Sequence, residues 1–189
     1  MALAERASGG DAEAFESLIA PYLKRAYGYA MRLCGDPHLS EDLCQDAFIK
    51  AFRKVDSFAG NSAFSTWLFR ILHTTFLDHV KRRRVAEAPL GDDGEPPEAA
   101  VDAVARFQEQ TRKTEREEWL AEGIARLPPE FATMVVLRDI QGFSYREIAD
   151  ITGEPVGTVK SRLARGRERL RQILVTSMDQ SLKAVGHSG

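Results

Sequence analysis

Residues 144–171 read SYREIADITGEPVGTVKSRLARGRERLR. Ser144 stands three residues before Glu147, the spacing of a capping box, in which hydroxyl and carboxylate each accept a backbone N–H left unpaired at a helix start. A short helix is therefore expected from Ser144, with Ile148, Ala149 and Ile151 on its buried side. Gly153 is placed to end it in the left-handed conformation that a side chain resists. Pro155 opens a second helix, since proline suits the first helical position. Two helices joined by a tight, glycine-containing turn form a helix-turn-helix pattern.

In the second helix Val156, Val159, Leu163, Leu170 and Ile173 recur at helical spacing, with Gly166 on the same stripe allowing close packing. The opposite face carries Gly157, Lys160, Ser161, Ala164, Arg165 and Glu168, and its small residues would let the helix sit deep in a major groove. Lys160 to Arg171 holds six basic residues and one acidic, so phosphate attraction is available where the helix would dock. Taken alone, the stretch also fits a solvated basic helix of a bundle.

The full chain of 189 residues is 43% hydrophobic and 29% charged, enough for one or two helical cores. Its net charge is −2, so nucleic-acid affinity must come from local basic clusters. Met1 to Asp11 lacks the apolar segment of a signal peptide and no run is long enough to span a membrane, so the expected site of action is cytoplasmic. Cys34 and Cys44 should stay reduced there. Cys34, His38 and Cys44 match no zinc spacing, and neither metal nor other cofactor is expected.

Towards the N-terminus, Asp11–Ala20 and Tyr22–Leu33 read as helices broken at Pro21, the second ended by Gly35, Asp36 and Pro37. Ser40 is expected to cap a third, whose core stripe is Cys44, Phe48, Ala51, Phe52 and Val55. Its other face shows Asp42, Asp46, Ile49 and Arg53, with Gln45 at the edge, a pattern that suits a protein contact. After the turn DSFAGN, a long helix capped by Asn61 or Ser62 begins aromatic and ends basic. Phe58, Phe64, Trp67, Phe69 and Phe76, followed by Lys81, Arg82, Arg83 and Arg84, combine ring surfaces with phosphate-binding charge, as single-strand binding requires. Most of these rings are expected in the core. Those near the turn, with Arg70, His73, Thr74 and the basic end, are the candidates to meet nucleic acid.

Residues 85–111 change character: Glu87 to Asp102 has six acidic residues and no basic one, and reads as a linker. Two more helices, Arg112–Arg126 and Pro129–Ile140, the latter closed by Gly142, complete a helical domain with the helix-turn-helix. The expected fold is all-α: domains over 1–84 and 112–178, a flexible acidic linker, and a tail over 179–189. No phosphate loop or nucleophile elbow appears, and His73, Asp78 and His79 fall on different faces of one helix, so no enzyme is expected.

EDLCQDAFIKAFRKVDSF, SAFSTWLFRI, LPPEFATMVVLRDIQGFSYREIADI and VGTVKSRLARGRERL, in this order and with this separation, resemble the extracytoplasmic-function sigma factors of the sigma-70 family. The likeness covers roughly residues 11–84 and 112–174. It implies that the chain binds core RNA polymerase, directs it to promoter DNA and helps open the duplex, and that an anti-sigma factor restrains it. By position it assigns polymerase binding to Asp42, Gln45, Asp46 and Ile49. The −10 element falls to Phe58, Asn61, Ser62, Phe64, Arg70, His73, Thr74 and Lys81 to Arg84. The −35 element falls to Gly157, Thr158, Lys160, Ser161, Ala164 and Arg165. Cys44 departs from the family's usual aliphatic residue, and the Lys81–Arg84 run is denser than in many members.

Two other classes compete. A conventional helix-turn-helix regulator would bind duplex alone, usually with an effector pocket or dimer helix, for which no pattern is present. A sigma-mimicking interaction protein would not need Lys160, Arg165 and the Lys81–Arg84 run.

Overall fold

The computed structural model describes residues 2–86 and 115–186, and every regular element among them is helical. The first unit comprises α1 (Ala2–Ser8), α2 (Ala12–Ile19), α3 (Leu23–Cys34), α4 (Pro37–Lys54) and α5 (Phe64–Ala86), with short 3-10 turns at Ala20–Tyr22 and Val55–Ser57. The second comprises α6 (Glu115–Ala125), α7 (Pro129–Val135), a π turn (Val136–Ile140), α8 (Tyr145–Thr152) and α9 (Val156–Gly186). The sequence's linker reading falls on residues outside those described. Helix α9 runs past residue 178, where the domain was expected to end.

The punctuation follows local chemistry. Asp11 caps α2, its carboxylate accepting the Ala14 amide at 3.0 Å, and Arg6 closes a two-nitrogen ion pair on it, at 3.0 and 2.7 Å. Helix α4 starts before the expected cap at Ser40. Asp36 is the N-cap, accepting the Leu39 amide at 3.0 Å, and Pro37 takes the first helical position. Ser40, inside the helix, donates its hydroxyl to the Asp36 carbonyl at 2.6 Å. The Asp-Pro pair that reads as a stop is therefore also a start. Helix α5 begins at Phe64 with Trp67 bonded back to the Ala63 carbonyl, so neither Asn61 nor Ser62 is its cap.

Tyr29, Leu43, Leu68, Phe69 and Leu72 fill the first core; Ile124, Met134, Val136, Leu137, Ile148, Ile151 and Leu163 fill the second. Phe52, expected on the core stripe, is 38% exposed and meets Phe15 edge-on at 5.1 Å. The two cores join: α8 lies along α5, and α6, α7 and the π turn lie against α3. The sequence reading had the two parts tethered rather than packed together.

The capping box is present in full. Glu147 donates its amide to the Ser144 hydroxyl at 3.3 Å, and the Ser144 amide donates to the Glu147 carboxylate at 2.8 Å. These bonds from Ser144 hold the Glu147 carboxyl below its ordinary range. A carboxyl lowered in the folded state stabilises above its unfolded pKa, and that contribution disappears as pH falls through the folded value. Ser144→Ala should destabilise the protein by about 1 kcal/mol at neutral pH, a drop of roughly 2–4 °C in a chain of this size. Thermal melts should show the gap between variant and wild type closing as the buffer is acidified into the carboxylate range.

Candidate nucleic-acid and polymerase interfaces

Gly153, at φ 72°, ends α8 as expected. Pro155 stands one position outside α9, its carbonyl accepting the Val159 amide at 3.0 Å. Arg162 reaches back to Glu154 at 2.8 Å and ties the turn to the helix it introduces. Val159, Leu163, Gly166 and Leu170 are buried on the stripe that the spacing predicts. A methyl group on Gly166 would sit 3.2 Å from the Phe131 carbonyl oxygen and 3.1 Å from a Val135 methyl, so glycine lets α9 and α7 approach this closely.

That packing sets the chemistry of the opposite face. Gly157, Lys160, Ser161, Ala164 and Arg165 are exposed, and Thr158 is half-buried with its carbonyl accepting the Ser161 hydroxyl at 3.0 Å. The arginines around this face are occupied within the domain. Arg167 binds Asp139 through two nitrogens, one at 2.9 Å, which raises its pKa further. Arg169 lies 4.6 Å over the Phe131 ring, and Arg171 forks onto Glu168 at 3.1 and 2.8 Å. Among the described residues no hydrogen bond or ion pair holds Arg165. Lys160 rests at 5.7 Å over the ring of Tyr145.

A second polar and aromatic surface surrounds the turn before α5. Phe58 meets Phe64 edge-on at 5.3 Å and Trp67 at 5.6 Å, and Tyr22, from the turn before α3, packs 5.6 Å from Phe64. Phe58, Phe64 and Trp67 are all half-buried, so this cluster keeps ring surface open to solvent. Gly60, at φ 72°, bends the turn, and Asn61 and Ala63 project from it. Trp67 and Tyr22 join the ring cluster, yet neither was among the sequence-predicted site residues; Tyr22 is remote in sequence, and only packing reveals it.

Arg70 and Thr74 are exposed one turn apart on α5, the Thr74 hydroxyl donating to the Arg70 carbonyl at 2.9 Å. His73 lies elsewhere: it is 6% exposed, its Nδ1 3.0 Å from the Tyr29 hydroxyl, and burial pushes its pKa down to about 4, so it is neutral at pH 7. In this arrangement it faces the junction of the two units rather than the DNA-facing side where the sequence reading put it. Lys81 and Arg82 are exposed; Arg83 and Arg84 lie on α5, their side chains outside the described set.

On α4, Asp42 is exposed and Gln45, Asp46 and Ile49 are half-exposed, one polar side of a helix whose other side holds Leu43, Cys44, Ala47 and Phe48 in the core. Lys50 ties this helix to α5 through Thr75 at 3.3 Å and Asp78 at 3.7 Å. Burial raises the Cys44 thiol to about 12, leaving it unreactive at neutral pH. Among the described residues no three His, Cys, Asp or Glu side chains gather as a metal site, and no helix is long and apolar enough to cross a membrane.

Residues 18–85 match the model of sigma-70 region 2, and residues 117–170 match that of sigma-70 region 4. The RNA polymerase sigma-H factor of Pseudomonas aeruginosa is 35% identical over 177 residues, spanning 91% of this chain and 92% of that one. SigW of Bacillus subtilis, an extracytoplasmic-function sigma factor, is 33% identical over 180 residues, 87% of this chain and 91% of its own. The chain belongs to the extracytoplasmic-function sigma factors of the sigma-70 family. It is therefore a non-enzymatic transcription initiation factor, and its two helical units are region 2 and region 4. Among solved structures, the sigma factor RpoE of Bartonella quintana, crystallised with the anti-sigma factor NepR, superposes with a TM-score of 0.65 at 27% identity, covering 85% of this chain and 96% of that one.

The half-open ring cluster leads to a test. Phe64→Ala or Asn61→Ala should reduce promoter opening more than initial closed binding, because stacking acts on an unpaired base and contributes about 1–3 kcal/mol each. Permanganate reactivity of the −10 thymines in the holoenzyme complex measures this. Unchanged reactivity in a folded variant would make the cluster structural only.

Proposed function

We propose that this sigma factor divides promoter recognition between the two exposed surfaces described above and holds the polymerase through α4. Asp42, Gln45, Asp46 and Ile49 contact the core enzyme, their polar side standing clear of the region 2 core. Phe58, Asn61, Ser62 and Phe64 capture bases of the −10 element once it is unpaired. Arg70 and Thr74 line the adjoining helix, and Lys81 to Arg84 supply phosphate contacts. His73 takes part only if region 4 moves away from it.

Gly157, Thr158, Lys160, Ser161, Ala164 and Arg165 read the −35 element in the major groove. The observation that carries this reading is the division among the basic residues of α9. Arg162, Arg167, Arg169 and Arg171 are engaged inside region 4, which leaves Lys160 and Arg165 to address DNA. An anti-sigma partner is supported by the likeness to the NepR-bound sigma factor, and the site of action is the cytoplasm, where the polymerase works. An envelope or stress response fits this class of sigma factor.

Arg165→Ala should relax preference at particular −35 bases, since a bidentate contact to guanine discriminates by about 1–3 kcal/mol. Arg169→Ala should weaken all sequences alike or loosen the domain, having lost the Phe131 ring. Promoter activity across a panel of −35 mutants at two salt concentrations measures both. A uniform loss for Arg165→Ala, with base preference intact, would mean that this face positions the helix without reading.

A further inference from the structure

The face between the two units is specific as well as apolar. Arg25 of α3 donates from Nε to the Gln141 side-chain oxygen at 3.2 Å and from Nη2 to the Gln141 carbonyl at 2.9 Å, while the Gln141 amide donates back to the Arg25 carbonyl at 3.2 Å. The same guanidinium lies 5.4 Å from the centre of the Phe69 ring and 5.2 Å from that of Phe143, and the two rings meet edge-on at 4.9 Å. Phe69 is fully buried and Phe143 is 4% exposed. Beside them Thr66 on α5 donates to the Glu147 carboxylate at 3.5 Å, and the Tyr29 hydroxyl bonds both His73 and Thr133.

The π turn delivers this clasp. Its widened ring ends with the Gln141 amide on the Val136 carbonyl at 2.9 Å, Gly142 follows at φ 78°, and Phe143 bonds back to Leu137 at 3.0 Å. Three consecutive residues of region 4 thus present a side-chain amide, a left-handed bend and a ring to α3 and α5.

Promoter geometry is incompatible with this contact. The −10 and −35 elements are about 25 base pairs apart by name, roughly 85 Å at ~3.4 Å per pair. A compact chain of this length has a radius of gyration of about 16 Å, a span of roughly 40 Å. Tyr145, two residues after Phe143, is itself the ring beneath Lys160, so the −35 surface is held beside the helix that carries the −10 surface.

We propose that Arg25, Gln141 and Phe143 form a latch by which region 4 docks on region 2, and that the latch must open before the chain engages polymerase and both promoter elements. Docking then competes with holoenzyme assembly: if only a fraction of free molecules is open, the apparent dissociation constant for core polymerase rises by the inverse of that fraction. The inference uses the placement of the −10 and −35 surfaces given above. Solution shape is measured without polymerase or DNA, so failure of that placement and failure of the latch are read separately.

The test compares the full-length wild type with Arg25→Gln, and with Arg25→Gln combined with Gln141→Ala, by small-angle X-ray scattering and by binding to purified core polymerase. A third variant, Phe143→Ala, removes the ring without touching the polar clasp, and circular dichroism confirms helix content in each. The latch predicts a compact wild type, larger maximum dimensions in the variants, and core binding tightened by about tenfold for the double variant. A wild type already extended in solution, or folded variants that stay as compact as wild type, would overturn the latch. Expansion with unchanged core affinity would overturn its competition with assembly.

Discussion

The contact of Gly166 with Phe131 and Val135 is the constraint on which the region 4 surface depends. It brings α9 against α7 closely enough to bury Val159, Leu163 and Leu170, and a helix that buries one stripe must present the opposite one. Six basic residues between Lys160 and Arg171 would otherwise form an undirected cationic rod. Asp139, Glu154, Glu168 and the Phe131 ring take up four of them, and each pairing is set by where the buried stripe places that arginine. Exposed ion pairs of this kind contribute little stability. Their effect is to remove charges from competition, so that Lys160 and Arg165 remain beside the small residues Gly157, Ser161 and Ala164.

Much of this was legible because it is local. The Ser144–Glu147 box, the left-handed Gly153 and the stripe of α9 each depend on residues within two helical turns, and spacing reveals them. The polar side of α4 was legible for the same reason. Caps were less so where two candidates compete. Asp36 followed by Pro37 outranks Ser40 because the proline fixes the first helical position, and the same pair reads equally well as the end of the preceding helix. Phe52 sits at a core spacing yet near the end of α4, where the bundle no longer covers it fully and Phe15 alone meets it edge-on.

The junction was not legible at all. Periodicity shows that Tyr29, Phe69, His73 and Phe143 face something apolar, but not whether the covering residues come from the same unit. His73 shows the consequence: a histidine on an aromatic, basic helix suggests nucleic acid, whereas here a tyrosine and a neighbouring unit enclose it in the neutral state. The π turn at Val136–Ile140 has no signature in the sequence either, and it directs Gln141 to Arg25. The Pro-rich acidic stretch suggested tethered, independent units, and composition carries no information about a docking face formed by residues far from it.

Reconstituted initiation tests the central claim most directly: purified core polymerase, with and without this chain, transcribing a promoter library in which the −10 and −35 positions are varied. The account predicts transcripts only when the chain is present, starting from templates that share defined −10 and −35 sequences at a fixed separation. Absence of chain-dependent transcripts from a library that a related sigma factor transcribes, together with tight binding of the chain alone to duplex DNA, would contradict it and return the helix-turn-helix to the conventional regulators.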